Sequence, residues 1–456
     1  MQRRIIITLV DGFHHRYLAD TGVIDRMLEQ DIQLLILTTA ILKERIENSP
    51  LGKNPRVTLG ILDEVKLSKI HRVHLFLIIN ASRKLSRTLN VKNEMKAKTG
   101  KLSYLASRFA RSISSTGLYS LMLRIAGSAF SSSRYRQLLN EFKPHLVVFS
   151  TPGQKVNDLP LIYEALRQKI KTISPVYSWD NLTAKGPFIF NVDKLIVWNE
   201  IMKEEAIEYH QYKAEDVIVA GVPVFDSYVK VLHEPATNKK EFLSQFGFGD
   251  DKPLISITTI PTIYFGSCHR ELTLRILNFI NRGMIPPSNV LLRPHPLDET
   301  DYTDLEKNPG VVVDYYGSTP TQNVISKWVP REDNTTHLAR TMKYSNVVIN
   351  IASTITIDAA CFDTPVINIA YDMKDNPQEY VGSISRYYQY THYQHVVKVG
   401  AAALVNSDEE LLNALNTYLK DRSYHAEERK RLVYQQTGDL DGRAYQRIAD
   451  AIINAM

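Results

Sequence analysis

The chain opens on an apolar run, Ile5 to Val10, that stops at Asp11-Gly12-Phe13-His14-His15. A helical stretch from Val23 to Glu29 leads to a second run, Ile32 to Leu37. Strand, loop, helix and strand in this order have the rhythm of a βαβ unit. The pattern resumes after Pro144 with Leu146-Val147-Val148-Phe149, a helix over 159–169, and strand-sized runs at Lys171–Val176 and Lys194–Trp198. A helix at 200–210 then leads into Asp216-Val217-Ile218-Val219-Ala220-Gly221-Val222-Pro223. A second series runs through Pro253–Thr258, Asn289–Arg293, Val311–Asp314, Asn346–Asn350 and Pro365–Ile369, and ends in helical patterns at 408–420 and Arg443–Ile453. Between the two series, 232–253 is polar and holds Pro235, Asn238 and the cluster Gly247-Phe248-Gly249-Asp250-Asp251, which reads as a boundary. The predicted architecture is α/β: two doubly wound, Rossmann-like domains, 1–232 and 233–456, facing each other across a cleft. Ligands are expected at the carboxyl ends of the strands.

Composition adds exclusions. With 456 residues, 44% hydrophobic, 23% charged and 20 each of Gly and Pro, the chain is of ordinary globular make-up, and collagen-like or disordered readings drop out. Cys268 and Cys361 cannot build a disulfide framework and have no metal-ligand spacing, so a reducing compartment is the default. The opening apolar run is too short for a signal peptide, and no window is long and apolar enough for a membrane span.

Charge changes the picture more. Between Lys66 and Arg136 stand 15 Lys/Arg and one acid, Glu94, leaving 40 Lys/Arg against 48 Asp/Glu elsewhere. This segment, 66–137, reads as a basic, largely helical insertion in the first domain. It also carries the apolar run Val73 to Ile79 and a milder one from Ile113 to Phe130. Cations beside short apolar runs favour an anionic membrane surface or an anionic acceptor. A solvated basic face is the plain alternative. Nucleic acid is disfavoured, since no stacking motif interleaves with the cations.

The candidate chemistry lies at strand ends. Asn350 closes an apolar strand, and Ser353-Thr354 then opens a helix-forming run, so its free N–H groups and hydroxyls suit a phosphate; Asp358 lies one turn on, within reach of a ribose hydroxyl. Plain helix capping explains the same residues. Arg293-Pro294-His295-Pro296 ends another strand, and a guanidinium with an imidazole suits a diphosphate; a loop Arg beside a surface His is the plain alternative. Thr259 and Thr262 follow the first strand of the second domain, where hydroxyls and backbone N–H groups are suited to line a phosphate site. Neither a dinucleotide fingerprint nor a phosphate loop with a Lys is present. In the first domain, Asp11 is placed to orient His14 or His15, and an imidazole there is suited to take a proton from an acceptor hydroxyl; a purely structural loop His is the plain alternative. Ser178-Trp179-Asp180-Asn181 with Lys185 combines hydrogen-bonding groups with an aromatic, as a sugar or polyol site does, or as a tight turn does. The Tyr-rich stretch Tyr387 to Tyr393 stacks on carbohydrate or packs on the sheet.

The layout resembles the GT-B glycosyltransferase architecture. Ser353 to Val366 is similar to the donor-site pattern of that superfamily, with Asp358 where Glu is usual and Asp363 or Thr364 where Gly is usual. Asp216 to Pro223 with Asp226 resembles the Val-x-Gly-x-Pro junction shared by UDP-N-acetylglucosamine 2-epimerases and CDP-glycerol glycerophosphotransferases. Asp441-Gly442-Arg443-Ala444 with Arg447-Ile448 resembles their chain ends, and the likeness spans most of 140–456. It implies a metal-independent transferase with no cofactor beyond its nucleotide-linked donor. The expected function is transfer of a sugar from a nucleotide-sugar to a surface-polysaccharide or lipid-linked glycan. Thr259, Thr262, Arg293, His295, Ser353, Thr354 and Asp358 would hold the donor. Asp11, His14 and His295 would do the chemistry. His15, Trp179, Asp180, Asn181 and Lys185 would meet the acceptor. The expected place is the cytoplasm, peripherally on the inner face of the cell membrane. The alternatives are a CDP-polyol phosphotransferase of the same fold and a non-catalytic polyanion- or membrane-binding protein.

Overall fold

The computed structural model describes residues 2–81, 109, 112, 121–122, 124–125, 127–235, 237–261, 268–317, 333–373 and 383–456. Thr262 and most of the basic stretch between 82 and 126 lie outside these. The described residues form two compact units, Met1–Pro223 with Arg443–Met456, and Val224–Gly442.

The first unit is built on a seven-stranded sheet: β1 (Arg3–Leu9), β2 (Ile32–Thr38), β3 (Val57–Ile61), β4 (Leu146–Val148), β5 (Lys171–Pro175), β6 (Lys194–Val197) and β7 (Val217–Val219). Its order is β3-β2-β1-β4-β5-β6-β7, and every pair is parallel. Ile5 of β1 pairs with Leu34 on one side and Leu146 on the other. All three are fully buried, as strands covered by helices on both faces must be. The edge strand β3 escapes the sequence pattern because it is half-exposed and interrupted by Gly60.

The second unit holds β8 (Leu254–Thr258), β9 (Asn289–Arg293), β10 (Val311–Val313), β11 (Val347–Asn350), β12 (Val366–Ile369) and β13 (Ala403–Val405), all parallel, in the order β10-β9-β8-β11-β12-β13. The α/β class with two Rossmann-like units is therefore as the sequence predicts.

The partition differs at its edges from the 232/233 boundary. The helix Asp226–Leu232 belongs to the second unit, and the final helix, Ala444–Asn454, returns to the first. There Ile448, Ala449 and Ile452 are fully buried. Arg447 Nε donates to the Ala220 carbonyl at 2.9 Å, and Arg26 lies 3.7 Å from Asp450. The last helix is apolar on one face, and that face is buried in the first unit rather than beside its sequence neighbours.

Candidate functional site

In the first unit, β1 delivers the chain to Asp11, which caps the helix Gly12–Leu18 by accepting from the N–H groups of Phe13 (3.0 Å) and His14 (3.3 Å). The first helical turn brings His14 back over its own cap, with Nδ1 2.5 Å from Asp11 Oδ1. A carboxylate accepts only, so Nδ1 carries the proton and the lone pair of a neutral ring is left on Nε2. His14 is 1% exposed, its ring lies 4.2 Å from that of Tyr177, and Nε2 has no hydrogen-bond partner among the described residues. Lys155 Nζ stands 3.3 Å from Asp11 Oδ2. Burial pushes the Asp11 carboxyl up, but the charge and hydrogen bond of His14 and the charge of Lys155 outweigh it and hold the group at about 2.

This constellation sits where the strand order reverses, between β1 and β4, the usual place for a ligand in an open parallel sheet. A buried polar bed lies among the same strand ends. Thr8 Oγ1 accepts from the Ser150 N–H at 3.0 Å, and Thr151 Oγ1 donates to Asp158 Oδ2 at 2.9 Å. Burial pushes the Asp158 carboxyl up to about 6. Asp11 and His14 come together as the sequence suggests; Lys155, Tyr177 and Asp158 were not singled out. A Lys ending the loop Ser150-Thr151-Pro152-Gly153-Gln154-Lys155 after an apolar strand was the available signal.

The other first-unit candidates are placed differently. His15 turns to Asp20, Nδ1 to Oδ1 3.1 Å. Trp179 is buried in the core at 5% exposure. Asn181, fully buried, accepts from the Ser178 N–H at 2.8 Å and donates to Gln154 Oε1 at 2.9 Å. Asp180 Oδ1 accepts from Ser178 Oγ, and Oδ2 pairs with Lys185 at 3.0 Å. Asp180 and Asn181 shape the segment 178–185, as short Asx-rich turns do, and Trp179 is buried, whereas Lys185 is exposed.

In the second unit, the strand order reverses between β8 and β11. Here Asn350 Oδ1 accepts from the Ser353 N–H at 3.2 Å, and Ser353 Oγ accepts from the Ile355 N–H at 3.3 Å. Ala352 is held at φ +38°, a strained angle for a residue with a Cβ, and its N–H donates to Tyr388 Oη at 3.0 Å. Thr356, buried under this turn, hydrogen-bonds Asn368 Oδ1 (3.0 Å) and Tyr393 Oη (2.9 Å). Tyr388 and Tyr393 thus brace the turn beneath Ser353 and Thr354. Thr259 Oγ1 accepts from the His295 N–H at 2.8 Å, and His295 Nδ1 accepts from the Leu297 N–H at 3.0 Å, which leaves the ring proton on Nε2. Burial lowers the His295 imidazole to about 4, so at neutral pH it is a neutral donor.

Two donor-side expectations are corrected. Arg293 does not stand open to a diphosphate: it is 7% exposed, with one guanidinium nitrogen 2.6 Å from Asp314 Oδ2 and another donating to Asn334 Oδ1 at 3.0 Å. His337 Nε2 completes the cluster at 2.9 Å from the same Asp314 oxygen. A carboxylate at that distance in a water-poor site holds the guanidinium itself. Asp358 likewise accepts from Tyr228 Oη at 2.7 Å and is buried. Tyr228→Phe is expected to lower the stability of the second unit by about 1–3 kcal/mol by removing one donor from a buried carboxylate. Urea titration measures it, and an unchanged midpoint would count against the assignment.

Two Rossmann-like units, each with polar groups gathered at its sheet's reversal point, give the chain the GT-B fold. The same fold is seen, at low identity, in the UDP-GlcNAc 2-epimerase from Neisseria meningitidis bound to UDP-GlcNAc (14% identity, 99% of this chain and 100% of that chain covered, TM-score 0.54). It is seen also in the UDP-GlcNAc 2-epimerase from Methanocaldococcus jannaschii (14%, 99% and 99%, 0.54) and in HepE from Anabaena in complex with UDP and glucose (13%, 99% and 100%, 0.51). No curated protein matches the sequence. Residues 187–454 match the family model described as CDP-Glycerol:Poly(glycerophosphate) glycerophosphotransferase, and the chain belongs to that family.

Proposed function

We propose that the protein transfers a polyol phosphate from a CDP-linked donor to a hydroxyl of an anionic or lipid-linked acceptor at the cell envelope. The observation that carries the reaction type is His14, with Nδ1 fixed by Asp11 at 2.5 Å and Nε2 buried and without a hydrogen-bond partner among the described residues. That nitrogen is suited to take the proton of an acceptor hydroxyl as its oxygen attacks the distal phosphorus of the donor. A new P–O bond forms, the P–O bond of the diphosphate breaks, and CMP leaves with the electron pair. On the donor side, His295 through Nε2–H, with the hydroxyls of Ser353 and Thr354, would receive the charge that develops on the leaving group, and Thr259 would hold His295 in place. No metal is assigned to this step. Turnover is expected to survive EDTA, and loss of activity restored by magnesium would overturn that part.

The family match covers the whole donor-side unit, and it moves the polyol donor ahead of the sugar donor that sequence reasoning placed first. Sugar transfer from a nucleotide-sugar stays as the second reading, supported by the shared fold of HepE. Incubation with CDP-glycerol, CDP-ribitol and a set of UDP-sugars separates the two: CMP release from a CDP-polyol supports the first, and UDP release with no CMP overturns it.

For localisation we propose attachment to an anionic membrane surface through the basic segment. Support comes from Ile70, Val73, Phe109, Leu121 and Ile125, large apolar residues all more than half exposed within the stretch that carries the cationic excess. Among the described residues no helix is long and apolar enough to cross a membrane. Sedimentation with vesicles containing anionic lipid, but not with zwitterionic ones, is expected; equal binding to both, or to neither, would count against it.

A further inference from the structure

The helix Cys268–Asn281 carries in its first turn a histidine that the site above does not use. His269 is 1% exposed, its Nδ1 lies 3.4 Å from Cys268 Sγ, and its Nε2 has no hydrogen-bond partner among the described residues. Burial pushes the Cys268 thiol up to about 12, so it keeps its hydrogen and can give it to Nδ1, which places the ring proton of His269 on Nε2. A buried N–H without an acceptor is costly and rarely tolerated unless a ligand completes it. A second orphan ends β8, the strand that precedes this helix: Thr258 Oγ1 is buried and has no hydrogen-bond partner among the described residues. The strand β8 feeds this fourteen-residue helix, whose opening N–H groups favour an anion. His295 lies two residues past β9, the strand that pairs with β8, and Asp298 acts on both imidazoles.

We propose that His269 is a second phosphate-holding imidazole of the donor site, donating from Nε2 to an oxygen of the nucleotide's phosphate alongside the Nε2–H of His295. The inference rests on the transferase reading above. Both rings are held at about 4 by burial, so they meet the phosphate as neutral donors across the working pH range, with Asp298 and the Cys268 thiol as the groups that face His269.

Calorimetric titration of the full chain with CDP, CMP and cytidine tests it. His269→Leu is expected to weaken CDP binding about 10- to 100-fold, the loss of one charge-assisted hydrogen bond, and to leave cytidine binding unchanged. His269→Gln, which keeps an N–H at nearly the same place, is expected to bind CDP within a few-fold of the native chain. Unchanged CDP affinity in the Leu variant, or an equal loss for cytidine, overturns the inference. Should the Leu variant not fold, nitrogen NMR of the native protein decides: the His269 Nε2 resonance must move with CDP and stay still with cytidine, and no movement with CDP overturns it. A native chain that binds no nucleotide at all brings down the transferase reading itself. Normal binding with an indifferent His269 brings down only this inference.

Discussion

His14→Gln is expected to lower turnover by about 10²–10⁴-fold with little change in donor affinity. General base catalysis by a positioned imidazole contributes an acceleration of about that size. Gln retains a hydrogen-bonding end but cannot accept a proton at neutral pH, so the loss would fall on the chemical step and not on binding. Asp11→Asn should cost nearly as much, because an amide no longer fixes the proton on Nδ1 and no longer supports the imidazolium that forms when the hydroxyl is deprotonated. Asp11 also has a stability signature. Its carboxyl stands at about 2 against an ordinary 3.8, so the ionised form is favoured by folding. That contribution, about 2 kcal/mol, is fully present above roughly pH 4 and is lost as pH falls toward 2. Asp11→Asn should therefore flatten the acid limb of the unfolding curve while the neutral limb shifts down. Single-turnover kinetics with a fixed donor separates the chemical step; a His14→Gln enzyme that turns over at the native rate would remove the base from this position.

The fold was legible because buried parallel strands write themselves as apolar runs. Eleven of the thirteen strands were marked by such runs or lie within one. The exceptions are edge strands: β3 carries Gly60 and a half-exposed pattern, and the three-residue β13 has only Val405 fully inside. The placement of the final helix was not legible, since an apolar face does not say which unit buries it. The site was readable where chemistry and local geometry coincide. Asp11 and His14 lie three residues apart at a helix start, so capping alone brings them into contact. Arg293 and Asp358 were misplaced for the opposite reason. Their partners, Asp314 and Tyr228, are 21 and 130 residues away in sequence, and a strand-end position looks the same whether the group faces a ligand or a buried carboxylate. Lys155 reaches Asp11 by a similar long-range route, through the neighbouring strand β4.

The pairing of Arg293 yields the second large effect, and on a different quantity. Arg293→Met removes the cation from a carboxylate that is 5% exposed, and an uncompensated buried charge of this kind costs about 3–5 kcal/mol. Burial alone pushes the Asp314 carboxyl up; the His337 hydrogen bond and the Arg293 charge bring it below its ordinary value. Without the guanidinium the balance tips back, and His337 is left as the remaining side-chain donor shown on that oxygen. At about 2–4 °C per kcal/mol for a unit of this size, the transition of the second unit should drop by about 6–20 °C. Adding Asp314→Asn removes the stranded charge and should restore a large part of the loss, whereas two independent sites would simply add their penalties. Calorimetry of the native chain, both single variants and the double variant closes the cycle. If Arg293→Met melts like the native protein yet loses turnover by orders of magnitude, the guanidinium is on the substrate after all. Its place at the carboxyl end of β9, where ligands of open parallel sheets bind, would then outweigh the pairing seen with Asp314.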